Sequence, residues 1–490
     1  MTTQTQNNFD IEESLKFETT MITNENFIIP LKNAYFGILN LQANSTPLST
    51  ETHELIIMVD CSGSMSDECS DGRNKMQHII HTLKNIVLYF KENPVIHAYL
   101  TIHSFDDTIR EVIPRSNITN ENFNSIIDNI NLIVPRLSTN IELALINVKE
   151  VITQLEPSHN ICTIFMTDGE ATSGVRRAEI LKELVDTSVK NIFVGFGIGH
   201  DSYLLNTLSS GKKSEYYFID KLENSGFVYG EIIHGIVYKL LSNIEVSIEN
   251  GLIYNYKENK WVESIYIGEI TSEQNKIYNV ITCDPNNCCA HLTGSVKEYL
   301  IDYSISAQDS DEDLTKYIYR QRTLTHLCAV TEFLERKKSK NFGVFKFNHL
   351  NDKEEEKNMK ETLYKFLQEM KEYMKDKNIL EDAFIKNLCD DIYISYKTLG
   401  TKYGNMFNIA RRTSQGNQRC YTVNQLPDTL NLLKEPSSSW RVPRIFDEED
   451  KEDFEEKEDD FEHELSNVMH TPYSTRGSSQ LMRDISCKNI

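Results

Sequence analysis

Two periods of apolar residues alternate along the first half of the chain. Short apolar runs occupy residues 54–59, 97–103, 161–167 and 191–198, and runs of this kind read as strands buried on both faces. Between them, residues 75–90, 140–155, 176–189 and 226–241 carry apolar positions at helical spacing. Regular alternation of strand and helix predicts right-handed crossovers, and therefore an α/β fold with a doubly wound, mainly parallel sheet over residues 54–243.

The pattern changes on either side. Residues 244–308 are rich in β-branched and aromatic side chains without a helical period, and residues 17–53 read the same way. Neither flank holds enough strands to bury a core alone, so the two are predicted to pair into one β-sandwich with the α/β domain inserted between them. Residues 309–425 return to a helical period, with main segments at 314–337, 353–377 and 379–399, and predict a bundle packed on the sandwich. Residues 1–16 read as a flexible N-terminus. Residues 426–490 read as an acidic, largely disordered C-terminal tail, because Pro, Ser and acids dominate there and too little apolar area is present to offset chain entropy.

Charge narrows the function. The net charge of −22 disfavours non-specific nucleic-acid binding, since a polyanion repels phosphates. Half of that charge is local, with 13 acids and 2 lysines between Asp447 and Glu464. This stretch is either a solvated tail or a lure for a basic partner. No apolar run is long enough for a membrane span, and the first residues lack the basic start and apolar stretch of a signal peptide. A cytoplasmic location without membrane contact is therefore expected, and the ten cysteines are expected to be thiols.

The candidate chemistry sits where the first buried strand ends, in the stretch Asp60-Cys61-Ser62-Gly63-Ser64. Ligands of a parallel sheet bind at the carboxyl ends of its strands. The spacing sets Asp60, Ser62 and Ser64 on one side of the following turn. A second acid, Asp168 in Thr167-Asp168-Gly169, ends another apolar strand, and Thr139 opens a helix. Hard cations such as Mg²⁺ take about six oxygens and keep several waters. Hydroxyls of Ser62, Ser64 and Thr139 suit direct ligation, with Asp60 and Asp168 holding metal-bound water. An ion held mainly by neutral oxygens stays electrophilic and would recruit the Asp or Glu carboxylate of a protein partner.

These residues resemble the von Willebrand factor type A domain and its metal-ion-dependent adhesion site. The match is Asp60-x-Ser62-x-Ser64, Thr139, and Asp168 within Thr-Asp-Gly, in that order, and the stretches at 103–107 and 194–199 are similar to two further core strands of the family. One departure stands out: relatives usually carry Gly-Gly before the threonine, where this chain has Leu137-Ser138. The resemblance implies a Mg²⁺ or Mn²⁺ ion at Asp60, Ser62, Ser64, Thr139 and Asp168, and an intracellular protein-interaction module. A domain of this type set between β segments and followed by helices also resembles the plan of inter-alpha-trypsin-inhibitor heavy chains and of plant ubiquitin ligases that add a RING domain.

Other motifs carry less. Gly211-Lys212-Lys213-Ser214 lacks the glycine-rich approach of a phosphate loop, and Gly195-x-Gly197-x-Gly199 is followed by His200 where a dinucleotide fingerprint needs glycine. His78 and His81 share a helix face without an acidic or cysteine partner nearby. Cys283, Cys288 and Cys289 cluster, but no Cys-x-x-Cys occurs, so a RING or zinc ribbon is not expected. No Ser-His-Asp or Cys-His arrangement has local support, so the chain is not expected to be an enzyme. Two rival functions stay open: a scaffold that binds partners without metal, and a ubiquitin-ligase-related subunit or metal-dependent hydrolase.

Overall fold

The computed structural model describes residues 11–21, 29–31, 33–69, 72–168, 170–197, 200–219, 224–296, 299–309, 312–341, 349–401, 403–421 and 471–486. The acidic stretch 447–464 and Gly199 lie outside the described residues.

Two strands come first, β1 (Ile11–Met21) and β2 (Tyr35–Ala43). The α/β region then runs β3 (His53–Asp60), α1 (Lys75–Glu92), β4 (Ala98–Phe105), β5 (Ile109–Asn117), α2 (Phe123–Asn131), α3 (Ile141–Ile152) and β6 (Asn160–Thr167). It continues through α4 (Ala178–Lys182), β7 (Lys190–Phe196), α5 (Ser202–Leu208), β8 (Ser214–Ile219) and α6 (Ser225–Val237). Its six-stranded sheet has the order β5-β4-β3-β6-β7-β8, with all neighbours parallel except the β4–β5 hairpin at the edge.

β3 is central and every residue of it is buried. Its side chains alternate between two cores. Leu55, Ile57 and Val59 face α1, α2 and α6, while Ile56 and Met58 face α3, α4 and α5. The chain leaves β3 for β4 on one side and returns to β6 on the other. The carboxyl end of β3 is therefore the topological switch point, where the diverging crossovers leave a crevice.

The β-rich part contains β9 (Lys239–Glu249), β10 (Gly251–Asn255), β11 (Lys260–Val262), β12 (Ser264–Thr271), β13 (Asn275–Thr282), β14 (Cys289–Val296) and β15 (Tyr299–Asp309). The flanks pair as the sequence predicts: β2 lies antiparallel to β13 and β1 parallel to β15, in a nine-stranded order β11-β10-β13-β2-β1-β15-β14-β9-β12. The sheet folds over so that β10 reaches β9 and β12, and Leu39, Leu41, Val246, Ile253, Val280 and Leu292 share one core.

The last elements are α7 (Thr315–Asn341), α8 (His349–Asp376), α9 (Ala383–Thr398), α10 (Gly404–Asn417) and α11 (Arg476–Ser486). The bundle rests on the α/β domain as well as on the β strands, because Met406, Phe407 and Ile409 of α10 join the core beside α5 and β8.

Three expectations change. The segment 1–16, expected to be flexible, overlaps β1 from Ile11 onward, where Leu15 and Phe17 are buried. The helix expected over 176–189 shortens to α4, beyond which the amides of Glu183, Leu184 and Val185 donate to carbonyls three residues back, and the Asp186 carboxylate then accepts from both the amide and the hydroxyl of Ser188. The tail expected to be disordered contains α11, whose Leu481, Met482 and Ile485 are buried against α1 and α6. Glycines make that docking close. A Cβ on Gly230 would stand 2.5 Å from Cα of Met482, and one on Gly226 2.7 Å from Cα of Ser486.

Candidate metal-ion site

Three loops and the first turn of α1 meet at the carboxyl edge of β3. The first loop leaves β3 at Asp60 and makes a single 3-10 turn over Gly63–Ser66. Asp60 is fully buried. Its Oδ1 accepts from the Ser62 amide at 2.7 Å, and its Oδ2 accepts from the Thr167 hydroxyl at 2.6 Å. Burial pushes the Asp60 carboxyl up to about 6 in spite of these donors. A nearby divalent cation would reverse that shift.

From Asp60 a run of oxygens leads across the edge. Ser62 Oγ lies 3.0 Å from Ser64 Oγ, and Ser64 Oγ donates to Asp168 Oδ1 at 2.8 Å. Two oxygens at right angles on an ion with bonds of about 2.1 Å are about 3.0 Å apart, so the Ser62–Ser64 spacing suits adjacent corners of a Mg²⁺ octahedron. The donor set, two carboxylates and otherwise hydroxyls, fits a hard cation. Among the described residues no group of three or more His, Cys, Asp and Glu gathers as a metal site elsewhere.

Thr139 sits on the second loop. The Arg136 amide donates to the Cys61 carbonyl at 2.5 Å and the Gly63 amide to the Leu137 carbonyl at 3.0 Å, which docks this loop on the first. Thr139 is buried, and its amide donates to Thr172 Oγ1 at 2.8 Å while its carbonyl accepts from the amides of Thr172 and Ser173. Leu137 and Ser138 reach this position without positive φ, so the departure from Gly-Gly requires no strained backbone. Asn140 then caps α3 by accepting from the Leu143 amide at 3.0 Å. The structure thus joins Ser62, Ser64 and Asp168 through direct side-chain contacts, sets Asp60 beneath them, and brings Thr139 in on the adjoining loop.

Sequence reasoning missed several contributors. Lys75, the first residue of α1, donates to Asp168 Oδ2 at 2.5 Å and to Asp67 Oδ2 at 3.0 Å. Burial alone would lower its pKa, but these two carboxylates raise it. Its ammonium therefore neutralises the very carboxylate a cation would use. Asp106 braces the second loop by pairing with Arg136 at 2.7 Å and accepting from the Asn140 amide through its carbonyl. Burial would raise the Asp106 carboxyl, but the Thr108 donors and Arg136 hold it below the ordinary value. Thr167 could have been found from its place beside Asp168; Lys75 offered no local signal.

The remaining motifs have structural roles. Gly195 leaves room for the buried His200 ring, whose Nε2 lies 2.6 Å from the Tyr216 hydroxyl, and a Cβ there would meet the ring at 2.5 Å. His78 is buried within α1, and His81 contacts Asn85 at 3.2 Å. Among the described residues no helix is long and apolar enough to cross a membrane.

Part of the chain is similar to known proteins. The family model for the von Willebrand factor type A domain matches residues 54–229. Among solved structures, the von Willebrand factor type A protein from Catenulispora acidiphila is 13% identical, with 67% of this chain and 82% of that one covered at a TM-score of 0.48. The ArnB paralog VWA2 from Sulfolobus acidocaldarius is 15% identical, with 84% and 100% covered and a TM-score of 0.48. Proximal thread matrix protein 1 from the mussel byssus, solved with a zinc-occupied adhesion-site motif, is 19% identical, with 38% and 49% covered and a TM-score of 0.31. No curated protein matches the chain. Residues 54–229 are a von Willebrand factor type A domain, a kind of domain that commonly serves as a protein-interaction module.

Proposed function

We propose that the chain binds a protein partner through a divalent cation, Mg²⁺ or Mn²⁺, held at the carboxyl edge of β3. Ser62, Ser64 and Thr139 would ligate through their hydroxyls, and Asp60 and Asp168 through water. When bound, the ion supplies a Lewis-acidic position open to an Asp or Glu side chain of the partner. The observation that carries this reading is the continuous oxygen run Ser62–Ser64–Asp168 above the buried Asp60.

The surroundings favour a protein partner. Leu132, Val134 and Leu137, on the loop that brings in Thr139, are 74%, 53% and 81% exposed. Apolar side chains beside a polar anchor are the usual anatomy of an interaction surface. The Lys75 ammonium must leave Asp168 as the cation enters, so Lys75 sets a threshold on occupancy.

The test is partner capture by the full chain in Mg²⁺, in chelator, and in Mg²⁺ with Ser64→Ala. Capture in the first condition and its loss in the other two is expected. Equal capture of the same partners in all three would favour a scaffold working without metal and would overturn the proposal.

A further inference from the structure

The opposite edge of the same sheet closes on a cavity of about 550 Å³. Lys190 starts β7 and Glu215 lies second in β8, so these strands present their amino ends to it. The β-rich part supplies Lys257 and Lys276, and the segment after α10 supplies Arg419. Eight Lys and Arg side chains and four Glu side chains line the space, in a chain whose net charge is −22.

The charges there do not balance locally. Lys190 pairs with Glu269 at 2.6 Å and with Glu215 at 3.5 Å, and Arg419 approaches Glu215 at 3.6 Å. Burial would raise the Glu215 carboxyl, but Lys190, Arg419, Lys276 and Lys257 together hold it down at about 2. Four cations therefore act on Glu215, and Glu269 and Glu231 are the further carboxylates near them. Lys257 donates only to the carbonyls of Gly211 and Ser214, at 3.0 and 3.1 Å, and Lys276 to that of Asn417 at 3.2 Å. Neither forms an ion pair among the described residues, and burial lowers the pKa of both. Arg419 is 6% exposed and stacks on the Tyr217 ring, and its Nε and Nη2 have no hydrogen-bond partner among the described residues.

A network serving stability alone would match such cations with carboxylates, because an unmatched buried charge is strongly unfavourable. Here donors surround a space of the size that small ligands fill. Three parts of the chain contribute its walls, and its volume is that of a small-ligand site. Clustered ammonium groups and a guanidinium fork suit the dense charge and multiple acceptors of phosphate.

We propose that this cavity binds a phosphorylated small molecule with two or more negative charges, held by Lys257, Lys276 and Arg419. The site is separate from the adhesion-type edge and needs no metal. Calorimetry and thermal unfolding of the full chain with inorganic pyrophosphate, in EDTA so that the cation site stays silent, test it. Saturable binding with a raised Tm is expected. Lys276→Gln and Lys257→Gln should each weaken it by about tenfold or more, while Lys375→Gln, on the exposed face of α8, leaves it unchanged. Without ligand each cavity variant should keep a cooperative unfolding transition, since it removes one of the four cations that act on Glu215 and leaves the other three in place. Should one variant fail to fold, the other carries the comparison. Absence of heat and of any Tm shift would overturn the proposal, as would binding that Lys257→Gln and Lys276→Gln leave intact.

Discussion

The two edges of the six-stranded sheet have opposite electrostatic character. At the carboxyl edge, Asp60 and Asp168 are short of cations: among the described residues the pair with Lys75 is the ion pair that these two acids make. At the amino edge, Lys190, Lys257, Lys276 and Arg419 all act on Glu215, with Glu269 paired to Lys190 and Glu231 near Arg419, and the eight Lys and Arg that line the cavity outnumber its four Glu. The first edge opens at a switch point, where crossover loops diverge and a large partner can approach. The second is a cavity walled by the β strands and the segment after α10, of a volume that suits a small ligand. An unbalanced charge cluster is costly in either place, and each proposed ligand completes one of them from outside the chain.

The contrast can be broken most forcefully at Glu215. Glu215→Gln removes the carboxylate on which all four cations act and should lower the unfolding free energy by about 3 kcal/mol, read by urea denaturation. No change would mean that the cations are already neutralised by solvent. Next in size, Asp60→Ala should weaken Mn²⁺ binding by about a hundredfold, or about 2.7 kcal/mol, measured by electron paramagnetic resonance of free Mn²⁺. Unaltered affinity would move the ion to other acids, such as those at 447–464.

Lys75→Met sharpens the comparison in the other direction. Removing the ammonium that competes for Asp168 should tighten Mn²⁺ binding by about tenfold. Weaker binding would make Lys75 a support of the site instead of its competitor.

The effect that is smallest per pH unit concerns Glu231, on the wall of the amino-edge cavity. Burial pushes its carboxyl up to about 7, against Arg419 and the Cys420 amide. A raised acid contributes stability below its unfolded value of about 4.5, and that contribution is lost as pH rises through about 7. Glu231→Gln should therefore gain stability relative to the parent between pH 5 and pH 8, by less than about 1.4 kcal/mol per pH unit. A difference between the two proteins that stays constant over this range would contradict the shift.

How much of this was legible depended on whether the signal was local. β3 and β6 announce themselves as apolar runs ending in acids, and the spacing of Asp60, Ser62 and Ser64 places three oxygens on one turn. β5 hid because it is an edge strand with mostly exposed positions and a proline at Pro114. α11 hid because only Leu481, Met482 and Ile485 carry its apolar stripe within a polar tail; the one hint was the four-residue spacing of Gly226 and Gly230 on its partner helix. The cavity was invisible for a different reason. Its cations come from stretches near residues 190, 257, 276 and 419, and only the fold brings them around Glu215.

The central claim is that the carboxyl edge of β3 grips one divalent ion through hydroxyl oxygens. Calorimetric titration of Mn²⁺ into the full chain and into its Ser62→Ala/Ser64→Ala variant tests it most directly, because that double change removes two ligands and leaves every carboxylate in place. The account predicts a one-to-one binding event in the parent that the variant loses. Identical titration curves for the two proteins would contradict it.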